Sequence, residues 1–162
     1  MTDFPALLKA LAESKVDYII VGGMAAIAHG SARMTFDLDI VYGRSSENIR
    51  RLVSAIKPSS PYLRGAVPGL PFQFDEKTIE RGLNFTLTTN LGQLDLLGEI
   101  TRGGNYEALL PYAEDMDLFG FQCRCLSLDR LIEVKLAAGR PKDLDSISEL
   151  RALQAAREST NS

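Results

Sequence analysis

A chain of 162 residues is long enough to close one compact domain around an apolar core without disulfides or a structural metal. Its formal charge of −3, with basic residues spread along the sequence, argues against a broad cationic surface for duplex nucleic acid and leaves room for a local basic pocket. One histidine and two cysteines fall short of the usual structural zinc site. No basic leader with an apolar core and no run of about 20 apolar residues is visible, so a soluble cytoplasmic protein with no membrane contact is the expectation.

Leu7, Leu8 and Leu11 at helical spacing predict a first amphipathic helix over 4–14. Val16 to Val21 reads as a buried strand ending at Gly22-Gly23, and Met24 to His29 as a short helix stopped by Gly30. A second strand holds Asp37-Leu-Asp-Ile40. Ser45 then caps a third helix whose stripe is Ile49, Leu52, Val53 and Ile56. Residues 58–74, with four prolines and two glycines, read as a long loop in which Phe72 and Phe74 are expected to be buried. Strands over 83–88 and 92–97 form a hairpin, a helix covers 105–113, and a short edge strand covers 119–125. On that strand Cys123 and Cys125 share a face as small buried hydrophobes. Two helices complete the chain, from 126 to 138 and from 142 to 157, on either side of Gly139-Arg-Pro141. The expected organisation is one domain over 1–157, with 126–157 as its C-terminal helices and 158–162 as a frayed tail.

The pair Asp37 and Asp39 carries the most chemistry. Side chains at i and i+2 of a strand point the same way, roughly 7 Å apart at Cα, so both carboxylates can converge on a shared cation. Two ionised acids held together without one would raise a pKa, and Mg2+ removes the conflict. Upstream, a strand ending in Val21-Gly22-Gly23 and opening a helix can offer backbone N–H groups to phosphate. Thirteen residues, 24–36, separate Gly23 from Asp37, enough for one short helix and a return strand. Asp95, flanked by Leu94 and Leu96 on an alternating strand, is the candidate third carboxylate, and Glu99 is a weaker rival past the strand end. Such a triad could hold two ions, and Asp95 could accept the acceptor's proton. Arg33 and Thr35 could reach a phosphate or brace the turn, and His29 suits packing or capping.

The run from Val21 to Ile40, with strand-Gly-Gly, the gap, Asp-Leu-Asp-Ile and a later strand aspartate, resembles the DNA polymerase beta-type nucleotidyltransferase superfamily. It is similar in particular to small bacterial abortive-infection, toxin-type members. Glu133-Val-Lys135 and Gly139-Arg-Pro-Lys-Asp-Leu144 look like their downstream motifs. Gly23 stands where many relatives carry serine. The resemblance implies an α+β nucleotidyltransferase fold, a mixed sheet with helices packed on one face and a C-terminal helical segment. It implies Gly22, Gly23, Arg33 and Lys135 on the nucleotide, and Asp37, Asp39 and Asp95 as catalytic ligands of two Mg2+, which Mn2+ could replace. Asp143 would orient Lys135 or Arg140.

The implied reaction is transfer of an NMP from an NTP to a hydroxyl acceptor: an RNA 3′ end such as that of tRNA, a protein, or a small molecule. A toxin role with an antitoxin partner goes with it, and extended duplex DNA does not. Two alternatives stay open at the level of sequence. One is a catalytically inactive binding or regulatory protein of the same fold. The other is a haloacid dehalogenase-type phosphatase, whose Asp-x-Asp-x-Val signature is met here, although on the second strand and without a later Gly-Asp cluster.

Overall fold

Helix α1 (Phe4–Glu13) starts where the Asp3 side chain accepts from Ala6 N, and it buries Leu7, Leu8 and Leu11. Strand β1 (Tyr18–Val21) runs straight into α2 (Gly22–Ala28), and β2 (Asp37–Tyr42) returns antiparallel, with Val21 opposite Asp39. Helix α3 (Ser46–Ile56) begins at Ser45, whose side chain accepts from Asn48 N, and buries the expected Ile49, Leu52, Val53 and Ile56. Residues 1–161 are described by this computed structural model.

The region between α3 and the hairpin holds more structure than its prolines suggest. Strand β3 (Tyr62–Leu63) lies inside the long loop, and α4 (Glu76–Arg81) follows it. Phe74 is buried and Phe72 packs edge-on against Tyr62. Strands β4 (Asn84–Thr89) and β5 (Gly92–Leu97) form the hairpin where the sequence placed it. A small two-stranded ribbon, β6 (Glu99–Ile100) with β7 (Gly104–Asn105), was not anticipated. The helix expected over 105–113 shrinks to α5 (Tyr106–Leu109) and one 3-10 turn, because Ala113 already opens β8 (Ala113–Leu118). Strand β9 (Phe121–Leu126) is therefore not an edge. It lies between β1 and β8, with Cys123 and Cys125 both buried and free. Helices α6 (Leu128–Ala138) and α7 (Leu144–Asn161) end the chain. The tail expected to fray from 158 continues the helix to Asn161, and residue 162 lies outside the described residues.

The main sheet has seven strands in the order β3-β4-β5-β2-β1-β9-β8. Pairs β2–β5 and β1–β9 are parallel and the rest antiparallel, so the sheet is mixed. Burial shows which face is covered. Strand β4 alternates strictly, with Phe85, Leu87 and Thr89 in and Asn84, Thr86 and Thr88 out, so one face of this half packs on the core and the other is open. In β1 the consecutive Ile19 and Ile20 are both fully buried, so there the second face is covered as well. Helices α1, α3 and α4 contact one another in sequence, and α2 contacts β1, β2 and α6, which packs on α7. The open patch over β4, β5 and β2 is where acids can meet a ligand.

Candidate active site

The parallel register of β2 and β5 sets the centre. Asp39 lies opposite Asp95, and Asp37 opposite Gln93, so period-two alternation turns Asp37, Asp39 and Asp95 to the same face. One carboxylate oxygen from each lies within 4.8 Å of the others. The intervening Leu38, Ile40, Leu94 and Leu96 are fully buried on the opposite face and fix the register.

Gly22 is required by this arrangement. Its φ is +66°, and a Cβ there would collide with Asp39 Oδ2. A Cβ on Gly23 would meet Thr35 Oγ1 at 2.7 Å, so the second glycine makes room for the side chain that precedes β2. Thr35 braces that turn through a 3.4 Å bond from Oγ1 to Asp37 O.

Burial, then the charge of Asp95, its hydrogen bond and the charge of Asp37 push the pKa of Asp39 up to about 7, with Arg64 pulling the other way. Asp39 Oδ1 and Asp95 Oδ1 are buried with no hydrogen-bond partner. Three convergent carboxylates, two with orphaned buried oxygens, are a hard, oxygen-only donor set suited to Mg2+ or Mn2+. These residues can hold such an ion.

A cavity of about 320 Å³ opens beside the triad, and Gly22, Asp39, Asn84, Glu99, Lys135 and Arg140 supply polar groups to its apolar wall. A second, of about 410 Å³, is lined by Gly23, Arg33, Thr35, Lys135, Arg140 and Lys142 among others. Lys135 and Arg140 border both. Asp143, buried at the turn before α7, lies 3.7 Å from Lys135 Nζ and accepts a 2.6 Å bond from Arg140 Nε. Burial pushes its carboxyl up, but the Arg140 bond and the Lys135 charge outweigh that and hold its pKa below the usual range. Arg33 is half-exposed and faces Glu149 at 3.8 Å. His29 is held away from this chemistry, with Nε2 2.8 Å from Leu126 O and Nδ1 2.7 Å from Arg157 Nη2. Glu99 lines the first cavity but is no part of the triad.

Two features escaped the sequence. The ribbon β6–β7 walls the first cavity with Glu99, Ile100 and Thr101. Arg64, just past β3, places Nη2 2.9 Å from Asp95 Oδ1 and Nη1 3.8 Å from Asp37 Oδ2. A signal existed for it: Arg64 is the only charged residue between 58 and 74.

Three solved structures share this architecture. A Thermotoga maritima protein described as a candidate nucleotidyltransferase matches with a TM-score of 0.57 at 15% identity, over 90% of this chain and 88% of that one. The crystal structure of ANT(2″)-Ia in complex with adenylyl-2″-tobramycin matches with a TM-score of 0.55 at 16% identity, over 98% and 96% of the two chains. The fold is that of the nucleotidyltransferases. The solution structure of the same antibiotic-resistance factor ANT(2″)-Ia agrees, at a TM-score of 0.55 and 16% identity over 97% and 90%. No family model matches the sequence, and no curated protein matches it significantly. At such identities the likeness is one of fold. The Asp-x-Asp signature lies on the second strand of a mixed sheet, so the phosphatase alternative finds no support here.

Proposed function

We propose that the protein is a metal-dependent nucleotidyltransferase that moves an NMP from an NTP to a hydroxyl acceptor. The observation that carries this reading is the Asp37, Asp39 and Asp95 triad, set beside Gly22 on the open face of a nucleotidyltransferase fold. The same convergence weighs against an inactive binding subunit, which has no need of three acids crowded into a half-buried site.

When bound at Asp37, Asp39 and Asp95, Mg2+ would supply charge neutralisation of the nucleotide and of the departing pyrophosphate. Asp95 accepts the proton of the attacking hydroxyl, its Oδ1 making no aligned hydrogen bond although Arg64 Nη2 stands 2.9 Å away. Lys135 and Arg140, fixed by Asp143 between the two cavities, neutralise the phosphates, and Arg33 adds positive charge at the mouth of the second cavity. Gly22 borders the first cavity and Gly23 the second where β1 enters α2, and their missing side chains leave room for Asp39 and Thr35 beside the nucleotide. The apolar wall of the first cavity, with Leu97, Ile100, Leu131 and Val134, suits a nucleobase or sugar.

The acceptor is an RNA 3′ end, a protein side chain or a small hydroxylated molecule. ANT(2″)-Ia, solved with a nucleotidylated aminoglycoside, lends support to the last class. Likeness to toxin-type sequences supports an RNA acceptor and a toxin paired with an antitoxin. Incubation with each labelled NTP, Mg2+ or Mn2+, and total RNA, cell lysate or aminoglycosides tests the reading beside Asp37→Ala and Asp39→Ala. Metal-dependent label transfer, lost by at least about 100-fold in both variants, is expected. Equal transfer by the variants, or none with any acceptor, sinks the proposal.

A further inference from the structure

Among the described residues, the side-chain polar atoms buried without a hydrogen-bond partner are Asp39 Oδ1, Asp95 Oδ1 and Arg64 Nε, all in one cluster. A structural ion pair in a protein interior is favourable only when its remaining protons and lone pairs are satisfied. Here an orphaned donor sits beside two orphaned acceptors. The Arg64 side chain is 23% exposed, and its one aligned bond runs from Nη2 to Leu87 O at 2.6 Å. The same Nη2 stands 2.9 Å from Asp95 Oδ1 without hydrogen-bond alignment, and Nη1 stands 3.8 Å from Asp37 Oδ2. Arg64 thus faces two carboxylates as a charge while gripping neither.

Its position is built by the sheet. Arg64 N donates to Thr86 O at 2.9 Å, extending the β3–β4 pairing by one residue, and Thr86 lies opposite Asp95. The side chain therefore leaves the edge of the sheet at the level of the triad.

We propose that Arg64 is an exchangeable counter-cation: it offsets part of the triad's negative charge while no metal is bound, and turns to an anionic oxygen of the nucleotide once divalent ions hold the three carboxylates. This rests on the reading of the site as a nucleotidyl-transfer centre. Charge decides the direction of the exchange. With all three carboxylates ionised, as they are once metal displaces the Asp39 proton, they and one guanidinium sum to −2 (−3 + 1), and two divalent ions change that to +2 (−2 + 4). The guanidinium is then repelled by its former partners and attracted to the incoming triphosphate. Its planar fork matches phosphate as well as carboxylate, and the unaligned contacts it gives up hold it weakly.

The test reads metal and nucleotide separately. Mn2+ binding to the nucleotide-free protein is followed by electron paramagnetic resonance for wild type, Arg64→Gln and Arg64→Lys. Binding of a non-hydrolysable NTP analogue is then measured at saturating Mg2+. Arg64→Gln should bind Mn2+ about tenfold more tightly and the analogue about tenfold more weakly, the scale of one adjacent charge at intermediate dielectric. Arg64→Lys should stay near wild type for Mn2+. An arginine with a merely structural role would weaken both affinities or neither, and either result overturns the exchange.

If Arg64→Gln does not fold, 15N-labelled arginine in the wild type decides, with Arg64→Lys assigning the Arg64 Nε resonance. That resonance must shift when Mg2+ and the analogue are added together, and an unmoved resonance also overturns the proposal. Opposite affinity shifts without label transfer to any acceptor would sink the transfer reading and leave this one standing. Transfer with unchanged affinities would do the reverse.

Discussion

A carboxylate pressed against a glycine backbone depends on that glycine more than on its own strand. Gly22 has φ +66°, and its missing Cβ leaves the space that Asp39 Oδ2 fills. Gly22→Ala should therefore cost about 1–2 kcal/mol from the left-handed backbone alone, with more from the contact at Asp39. It should also turn the Asp39 carboxylate out of the triad. Urea unfolding should show the lost stability, and Mn2+ titration should show at least about tenfold weaker binding, as expected when one charged ligand of three is misplaced. Unchanged metal affinity would mean that Asp39 finds the ion from another rotamer. At the far side of the cavities Asp143 has the opposite duty, holding Lys135 and Arg140 in place. Asp143→Asn keeps the size and removes the charge. It should raise KM for the NTP several-fold while leaving metal binding unchanged, and a loss confined to kcat would exclude a role in placing the phosphate-binding cations.

Between elements, the most exacting contact is the one that fastens the last helix. His29, buried at the end of α2, bonds Leu126 O at the end of β9 through Nε2 and accepts from Arg157 on α7 through Nδ1. Arg157→Ala would leave Nδ1 buried and unpaired, at a cost of about 1–3 kcal/mol, readable in urea unfolding. Transfer should persist wherever the variant is folded, because Lys135 and Arg140 are held by Asp143 and not by Arg157. Elements with a strong period were legible from the sequence. The Leu7, Leu8 and Leu11 stripe, the Ser45 cap and the β4–β5 hairpin all lie within a residue or two of their expected places. Two-residue strands such as β3, β6 and β7 carry too few side chains for any period to show. Strand β8 was hidden because half of Ala-Glu-Asp-Met-Asp-Leu is exposed acid, so it lacks the apolar alternation by which strands are read. Missing β8 made β9 look like an edge. Asp37, Asp39 and Asp95 were legible because acids on apolar strands stand out. Arg64 was not, since only the β3–β4 pairing lifts it to the level of Asp95.

Across the whole molecule, stability, metal and pH are linked through Asp39. Its pKa is about 7 in the folded protein against an ordinary 3.8, the shift being set first by burial and then by Asp95 and Asp37. The folded state thus holds this proton more tightly than the unfolded chain does. The stability it represents is complete below about pH 4 and is lost as pH rises through 7. Asp75, Asp143 and Glu149 are shifted the other way, so their contributions fade only on further acidification, below the ordinary carboxylate range. Between pH 5 and pH 8 the metal-free protein should therefore lose several degrees of Tm, while Asp39→Asn, with no proton to lose there, should show a flatter profile and a higher Tm at pH 8. A divalent ion reverses the sign, because it binds the ionised triad and must displace the proton from Asp39 at pH 5. Mg2+ or Mn2+ should accordingly raise Tm more at pH 8 than at pH 5 in the wild type and little at either pH in Asp39→Asn. Differential scanning fluorimetry of the two proteins, with and without the ion across that range, checks all four limbs. A wild-type profile parallel to that of Asp39→Asn would show that Asp39 keeps one protonation state across that range and would overturn the linkage.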